Sequence, residues 1–333
     1  MKHRAKLYKT AKNSSVECFL CSHNCTILVG DYGKCNLRKN IDGALFTDTY
    51  ARVVASQIDP IEKKPLYHFF PGSNAYSIAT AGCNFRCDFC QNWQMSQVKS
   101  SKDMPFEITL PEKIAKRAIA SGAQSIAYTY TEPTIFFEYA YDVVRAAKER
   151  GLYNVFVTNG YMGKEAINSI GPYLDAANID LKSFSDDFYK KRCKARLEPV
   201  LDSIRYMKKL NIWVEVTTLI IPGVNDSVDE LKCIAGFIAK TGIDIPWHIS
   251  RFRPDYMYTD SKPTPIETLY GASHIGKDAG LRYIYIGNIT QESPTVCCQC
   301  GHLLIKREYP NVKITGLNSN RCAKCDTPLD GVF

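Results

Sequence analysis

Between residues 73 and 290, short apolar runs alternate with longer segments whose apolar positions recur every three or four residues. The short runs predict β-strands at 75–80, 125–130, 154–158, 176–181, 213–219 and 247–249, with 283–286 as one more. The longer segments predict helices at 111–121, 134–150, 164–170, 199–210, 228–240 and 265–279. This alternation predicts an α/β fold whose parallel strands are apolar because both faces of the sheet are buried.

Polar residues stand where the predicted strands end: Thr80, Thr131 with Glu132, Thr158 with Asn159, Asp180 with Lys182, Thr217 with Thr218, and His248. In β/α barrels the active site lies at the carboxyl ends of the strands. The pattern therefore predicts a partial (β/α)6 TIM-like barrel with a functional face. A doubly wound open sheet is the alternative, but no glycine fingerprint for a dinucleotide follows the first strand.

Three regions follow from these patterns. Residues 1–72 form a Cys-rich, metal-binding and β-hairpin region with a turn at Asp42 and Gly43. Residues 73–290 form the barrel, and residues 291–333 form a zinc-ribbon-like segment with little core of its own.

Composition narrows the classes of protein that fit. The chain has 333 residues, of which 45% are hydrophobic and 23% charged, so it is not a disordered protein. No apolar run reaches the roughly 18 residues of a membrane span, and no apolar segment follows the basic N-terminus as in a signal peptide, so we expect a cytoplasmic protein. The net charge is +8, but without a run of five basic residues a nucleic-acid partner is not favoured.

The chain contains 14 cysteines, and most of them lie in three clusters separated by long gaps. Tight clusters in a long chain without a signal peptide indicate metal binding in a reducing compartment, whereas a short secreted chain would use them as disulfides.

The central cluster is Cys83, Cys87 and Cys90, spaced C-x3-C-x2-C directly after the first predicted strand. Three thiolates can hold three corners of a [4Fe-4S] cluster, which normally takes four cysteines. The fourth iron would then be open to a substrate or cofactor, as one position of catalytic zinc is. A zinc site completed by a distant residue is the alternative.

This loop, with Phe89 before its last cysteine, resembles the C-x3-C-x-aromatic-C loop of the radical S-adenosylmethionine (SAM) superfamily. The resemblance implies that SAM chelates the open iron and is cleaved reductively to a 5′-deoxyadenosyl radical. Residues 129–133 are similar to the glycine-glycine-glutamate-proline motif, in which the glutamate, here Glu132, holds the SAM amino group. Tyr130 and Thr131 stand in place of the two glycines.

Other strand-end residues resemble those of pyruvate formate-lyase activating enzymes, which line the SAM ribose or carboxylate or a cation site. The resemblance thus implies that Cys83, Cys87 and Cys90 are catalytic. It also implies a set of cofactor-binding residues: Phe89, Thr131, Glu132, Thr158, Asn159, Asp180, Lys182 and His248.

Longer strings, at residues 59–69, 87–93, 128–134 and 196–200, resemble the AmmeMemoRadiSam system radical SAM enzyme, and the match covers nearly the whole chain. That family is related to pyruvate formate-lyase activating enzymes. The resemblance implies Memo-like and AMMECR-like protein partners and an electron donor such as ferredoxin or flavodoxin. The sequence departs from the pattern at Lys194, where glycine is expected, and at Arg253, where histidine is frequent.

The C-terminal cluster contains two C-x2-C pairs, formed by Cys297, Cys300, Cys322 and Cys325, with Cys298 as a surplus thiol. This spacing predicts a zinc ribbon.

The N-terminal cluster offers four thiolates, those of Cys18, Cys21, Cys25 and Cys35. Four cysteines close a site, so structural zinc and an auxiliary iron–sulfur cluster both fit, and we favour zinc. Cys193 and Cys233 stand alone. Cys193 is either a buried apolar residue or a hydrogen-donating thiol, and Cys233 is expected in the core.

The favoured hypothesis is a radical SAM enzyme that abstracts hydrogen from an unidentified substrate, using a [4Fe-4S] cluster, SAM and zinc. The alternatives are an activase for a glycyl radical enzyme, an RNA-modifying radical enzyme, and a zinc-bound adaptor without catalysis.

Overall fold

The computed structural model describes residues 3–289, 293–308 and 311–333. The predicted boundary between the barrel and the C-terminal segment, at residues 290 and 291, lies outside these ranges. None of the described helices is both long and apolar enough to cross a membrane.

The N-terminal region contains six short strands: β1 (His3–Arg4), β2 (Tyr8–Thr10), β3 (Val16–Cys18), β4 (Cys25–Ile27), β5 (Arg38–Ile41) and β6 (Ala44–Thr47). They form two antiparallel sheets, in the orders β1-β6-β5 and β2-β3-β4. The predicted turn joins β5 to β6, and its residues Asp42 and Gly43 have φ angles of 50° and 83°. Two positive φ angles match the right-handed twist of a hairpin, which explains the Asp-Gly sequence.

The central sheet is built from nine strands: β7 (Arg52–Pro60), β8 (Asn74–Thr80), β9 (Glu107–Ile108), β10 (Ser125–Tyr128), β11 (Tyr153–Thr158), β12 (Ala176–Asp180), β13 (Trp213–Ile220), β14 (Trp247–Arg251) and β15 (Ile284–Gly287). Its order is β15-β14-β13-β12-β11-β10-β8-β7-β9. The seven strands β8 and β10–β15 are parallel, while β7 and β9 are antiparallel additions at one edge.

Successive parallel strands are neighbours throughout, so the order never reverses as it does in a doubly wound sheet. This confirms the predicted α/β fold with a mostly parallel sheet. Among the described residues, no backbone pairing joins β15 to β9, so closure into a full barrel is not observed.

Within the described ranges, eight α-helices connect or follow these strands: α1 (Trp93–Ser96), α2 (Pro111–Ala120), α3 (Phe137–Lys148), α4 (Lys164–Ile170), α5 (Asp186–Phe188), α6 (Glu198–Lys209), α7 (Val228–Thr241) and α8 (Ile266–Asp278). Each predicted helix is present. The one expected from residue 134 begins as a 3₁₀ turn at Pro133–Phe136 before α3. A π-helix, Tyr189–Cys193, directly follows α5.

The C-terminal segment contains β16 (Thr295–Val296), β17 (Leu303–Glu308) and β18 (Asn311–Ile314), which pair antiparallel, and a hairpin of β19 (Leu317–Asn318) and β20 (Arg321–Cys322). Leu304, Ile305 and Leu329 of this segment are buried in one cluster with two tyrosines. Tyr285 lies on β15, and Tyr283 directly precedes that strand. The segment is therefore packed onto the edge of the central sheet.

Candidate active site

The carboxyl ends of the parallel strands surround a cavity of about 360 Å³, a volume typical of small-molecule sites. Ten of the predicted site residues line it: Cys83, Cys87, Phe89, Cys90, Thr131, Glu132, Thr158, Asn159, Asp180 and Lys182. They come from the ends of β8, β10, β11 and β12. Parallel winding brings these ends together, although the residues span about a hundred positions in the sequence.

The cysteine triplet lies on the loop after β8. Gly82 turns the chain into this loop with φ +101°, and an added Cβ there would clash with Cδ1 of the buried Leu37. Arg86 holds the loop from the outside. Its Nη1 donates to the carbonyl of Cys83 (2.6 Å) and its Nη2 to that of Lys34 (2.9 Å).

The three thiols favour a bound cation. Burial raises the pKa of the Cys83 and Cys90 thiols, and a hydrogen bond with Cys193 together with burial raises that of Cys87 well above its usual range. Thiolates in such surroundings form when a metal takes up their charge. Among the described residues the cavity is lined by these three cysteines and no fourth, so a cluster held here keeps one iron without a protein thiolate.

Cys193 lies behind Cys87 and does not line the cavity. It is fully buried at the end of the π-helix, and its carbonyl accepts a hydrogen bond from the Arg86 backbone (2.9 Å). The next residue, Lys194, has φ +57°, the left-handed conformation that favours glycine. This conformation explains why glycine is expected at that position.

Glu132 is buried, and its carboxylate accepts four hydrogen bonds from the protein. Oε1 accepts from the backbone and hydroxyl of Thr134 (3.0 and 2.5 Å) and from the hydroxyl of Thr158 (2.8 Å). Among the described residues, Oε2 accepts only from the backbone of Asn159 (2.8 Å). Because each oxygen has two lone pairs, Oε2 keeps one lone pair for a donor in the cavity. Burial raises the pKa of this carboxyl, although the hydrogen bonds that it accepts act in the opposite direction.

Tyr130, which replaces a glycine of the motif, has φ +62° and therefore holds a left-handed conformation without glycine. Its hydroxyl donates to Asp59, and Asp59 also accepts from Nζ of the buried Lys64 (2.8 Å). Burial alone would raise the pKa of Asp59, but the bonds from Lys64 and Tyr130 outweigh it and lower the value to about 2.

Lys64 and Tyr130 line the cavity, yet neither Lys64 nor Asp59 was predicted as a site residue. The available signal was the family resemblance of the string at residues 59–69, whose position before the first strand allowed Lys64 to cover the mouth of the barrel but indicated no contact with SAM.

Asp180 and Lys182 form an ion pair at 2.8 Å on the wall of the cavity, with Lys182 Nζ 6.0 Å from the centre of the Phe89 ring. Asn159 lies beside the triplet. Its Nδ2 is 3.7 Å from Cys83 Sγ and donates to Asn84 Oδ1 at 2.7 Å. Charged and amide side chains thus line the same cavity as the three cysteine sulfurs.

His248 does not join this set. Its Nε2 donates to Glu215, a fully buried carboxylate, at 2.6 Å. His248 lines an adjoining cavity of about 380 Å³, which shares Lys63, Pro65, Thr217, Ser250 and Asn288 with the first. His248 lies on β14, as its strand-end position predicted, and the buried Glu215 holds its ring; that His248 binds the cofactor stays a prediction.

The C-terminal cysteines come together as predicted. The Sγ atoms of Cys297, Cys300, Cys322 and Cys325 lie within 4.8 Å of one another, while Cys298 is exposed and outside the group. The N-terminal cysteines, Cys18, Cys21, Cys25 and Cys35, surround a smaller cavity of about 20 Å³. Cys233 is exposed, so the prediction that it lies in the core was wrong.

Comparison with known proteins agrees with this geometry. The sequence model of the Radical SAM superfamily matches residues 77–232, which include the triplet and the ends of β8 to β13. An uncharacterized protein of Methanocaldococcus jannaschii is 45% identical over 99% of both chains.

More distant relatives have described activities. A pyruvate formate-lyase 1-activating enzyme of Escherichia coli is 24% identical, over 48% of this chain and 67% of its own length. The crystal structure of Streptococcus suis SuiB bound to S-adenosylmethionine has a TM-score of 0.51 and 13% identity, over 68% of this chain and 53% of SuiB, and so supports the fold alone. The chain belongs to the Radical SAM superfamily, as a radical SAM enzyme homologous to the pyruvate formate-lyase activating enzymes.

Proposed function

We propose that Cys83, Cys87 and Cys90 hold a [4Fe-4S] cluster, that SAM binds in the cavity beside it, and that a substrate not yet identified loses a hydrogen atom there. The observation that carries this proposal is a cavity of about 360 Å³ lined by three thiols without a fourth among the described residues. When bound and reduced, the cluster and SAM together supply a 5′-deoxyadenosyl radical, which abstracts hydrogen.

The chain's own residues would orient SAM by charge. The free lone pair of Glu132 Oε2 suits an ammonium group, since its other lone pair and Oε1 are already engaged. The Lys182 ammonium suits a carboxylate or ribose oxygen of SAM. Asp180 holds the Lys182 ammonium in place through an ion pair at 2.8 Å. Asn159 contacts both Glu132 and Cys83, and so links the two halves of the site, while Thr158 holds the Glu132 carboxylate.

The adjoining cavity is a candidate binding site for the substrate. Glu62 and Arg307 line it, and their side chains are 9% and 6% exposed. Within the part of the chain that the structure describes, Glu62 Oε2 and Arg307 Nε have no hydrogen-bond partner. Arg307 Nε and Glu62 Oε1 form an ion pair at 3.9 Å, too far apart for a hydrogen bond. A buried acceptor and a buried donor without hydrogen bonds are costly unless a ligand satisfies both, so we propose a small polar substrate in this cavity.

The second candidate is an activase for a glycyl radical enzyme, which the homology to pyruvate formate-lyase activating enzymes favours. An activase must admit a loop of a partner protein, whereas two cavities of about 360 and 380 Å³ suit small molecules. We also propose membership of the AmmeMemoRadiSam system, with Memo-like and AMMECR-like partners. The one-electron donor would be a ferredoxin or a flavodoxin.

The C-terminal cysteines would bind zinc. Cys297 and Cys325 have their Sγ atoms 3.5 Å apart, and those of Cys300 and Cys322 are 3.7 Å apart. A tetrahedral zinc with Zn–S of about 2.3 Å places its sulfurs about 3.8 Å apart, which matches these separations.

The test is an anaerobic assay of protein with reconstituted clusters, dithionite and SAM, read out as 5′-deoxyadenosine. We expect 5′-deoxyadenosine from the natural protein and none from Cys87→Ala. Cys233→Ala is the control, because it replaces an exposed cysteine that does not line the cavity, and it should form the product as the natural protein does. Deoxyadenosine formed by Cys87→Ala at the natural rate would contradict the proposal.

A further inference from the structure

The four N-terminal cysteines lie around one cavity, together with His23 and Arg38. Cys18 is at the end of β3, Cys25 begins β4, and Cys21 and Cys35 lie in the loops that follow these strands. They therefore form one group, and the spacing of their sulfur atoms indicates what the group can bind.

The C-terminal cysteines give the spacing of a one-ion site in this same chain, with all four Sγ atoms within 4.8 Å of one another. Among the described residues, neither the N-terminal cysteines nor the triplet Cys83, Cys87 and Cys90 form such a close group of sulfurs. The N-terminal cysteines are therefore not arranged as the zinc-like group is.

The space between the sulfurs agrees. Four sulfurs about 3.8 Å apart around one zinc ion are in contact, and leave no room for even a water molecule. The N-terminal cysteines instead surround about 20 Å³, more than one water needs. An iron–sulfur core, which inserts its own iron and sulfide atoms between the thiolates, requires such a gap.

Arg38 adds an independent observation. Its side chain is 2% exposed and lines the cavity, and Nη2 donates to Glu138 Oε1 (3.0 Å) and to the Lys6 carbonyl (2.5 Å). Nε and Nη1 have no hydrogen-bond partner among the residues that are described. Buried N–H groups without acceptors are costly, and the sulfur atoms of an anionic cluster would accept from them.

We infer that Cys18, Cys21, Cys25 and Cys35 bind a second iron–sulfur cluster of the [4Fe-4S] type, and not the zinc favoured from the sequence. Four thiolates leave no iron open, so this cluster does not bind SAM. Its loops touch the triplet loop, since His23 Nε2 donates to the Asn84 carbonyl at 2.8 Å.

The test is metal analysis of anaerobically reconstituted protein, independent of any activity. We expect about eight irons per chain in the natural protein and about four in the triple variant Cys83→Ala/Cys87→Ala/Cys90→Ala. On reduction, that variant should give an electron paramagnetic resonance signal that SAM leaves unchanged. The double variant Cys21→Ala/Cys35→Ala should retain about four irons and a signal that responds to SAM, and Cys233→Ala should match the natural protein.

A triple variant that contains no iron and about two zinc ions per chain would overturn the inference. The triple variant leaves the N-terminal cysteines intact, so its iron content tests the inference even if the double variant fails to fold. Failure of the proposed function has a different signature, because the double variant would then contain no iron or would not respond to SAM.

Discussion

Replacing Glu132 by glutamine tests the contribution of one lone pair to the proposed binding of SAM. Glutamine must present its carbonyl to the three donors that reach Oε1, from Thr134 and Thr158. Its NH2 group then takes the place of Oε2 and faces the N–H of Asn159. The variant therefore offers the SAM ammonium a donor where the natural protein offers an acceptor.

The magnitude follows from the bond that is lost. A hydrogen bond to a charged group contributes about 1.5–3 kcal/mol, and about 1.4 kcal/mol is tenfold in affinity. We expect SAM to bind about 10- to 150-fold more weakly to Glu132→Gln. The protein itself should lose about 1–3 kcal/mol of unfolding free energy, because the N–H of Asn159 loses its acceptor.

The assay is an anaerobic SAM titration that follows the electron paramagnetic resonance signal of the reduced triplet cluster. Glu215→Gln is a matched control, because Glu215 is also fully buried and accepts four hydrogen bonds, from Tyr67, His68, Trp213 and His248. It should lose similar stability and keep its SAM affinity. Equal weakening of SAM binding in both variants, or a dissociation constant for Glu132→Gln within about twofold of the natural one, would refute the reasoning.

Three further predictions concern the surroundings of the site. Gly82→Ala should lower the unfolding free energy by about 2–4 kcal/mol in urea denaturation, because φ +101° strains alanine and its Cβ meets Leu37, and a neutral result would contradict the described loop. Asp59→Asn should cost about 3 kcal/mol, because it leaves Lys64, 2% exposed, without its partner. The folded pKa of Asp59, about 2, lies below its unfolded value, so in the natural protein this contribution is present above about pH 4 and lost toward pH 2. The unfolding free energy of Asp59→Asn should not show this fall between about pH 4 and pH 2. The same pH dependence of the unfolding free energy in both proteins would argue against the Asp59–Lys64 ion pair. Cys300→Ser should lose about one zinc and raise hydrogen exchange in β16, β17 and β20, whereas an unchanged zinc content would exclude this site.

The sequence predicted what local signals determine. The triplet is contained in eight residues, and its superfamily assignment is confirmed. Strand ends could be placed because parallel winding brings their carboxyl ends to one edge. Glu132 and Lys182 consequently appear in the cavity although fifty positions separate them.

Contacts between distant residues were not predictable in the same way. Asp59 and Tyr130 are 71 positions apart, and nothing in either neighbourhood indicates their hydrogen bond. His248 lines the adjoining cavity, because its position along the strand does not determine its orientation, which depends on Glu215 of the neighbouring strand. Cys233 was expected in the core, but Leu231, Ile234 and Ala235 form the buried face of α7 and leave it outside.

The covering of the triplet loop by the N-terminal region affects how the protein should be handled. Leu37 packs against Gly82, and the carbonyl of Lys34 accepts a hydrogen bond from Arg86, so the N-terminal region covers part of the outer side of the loop. The cavity in which we propose that SAM binds is then a route by which dissolved oxygen would reach the open iron of the proposed cluster. Keeping SAM in the buffer should then slow the loss of the cluster's visible absorbance in air, and protein without SAM should lose it fastest.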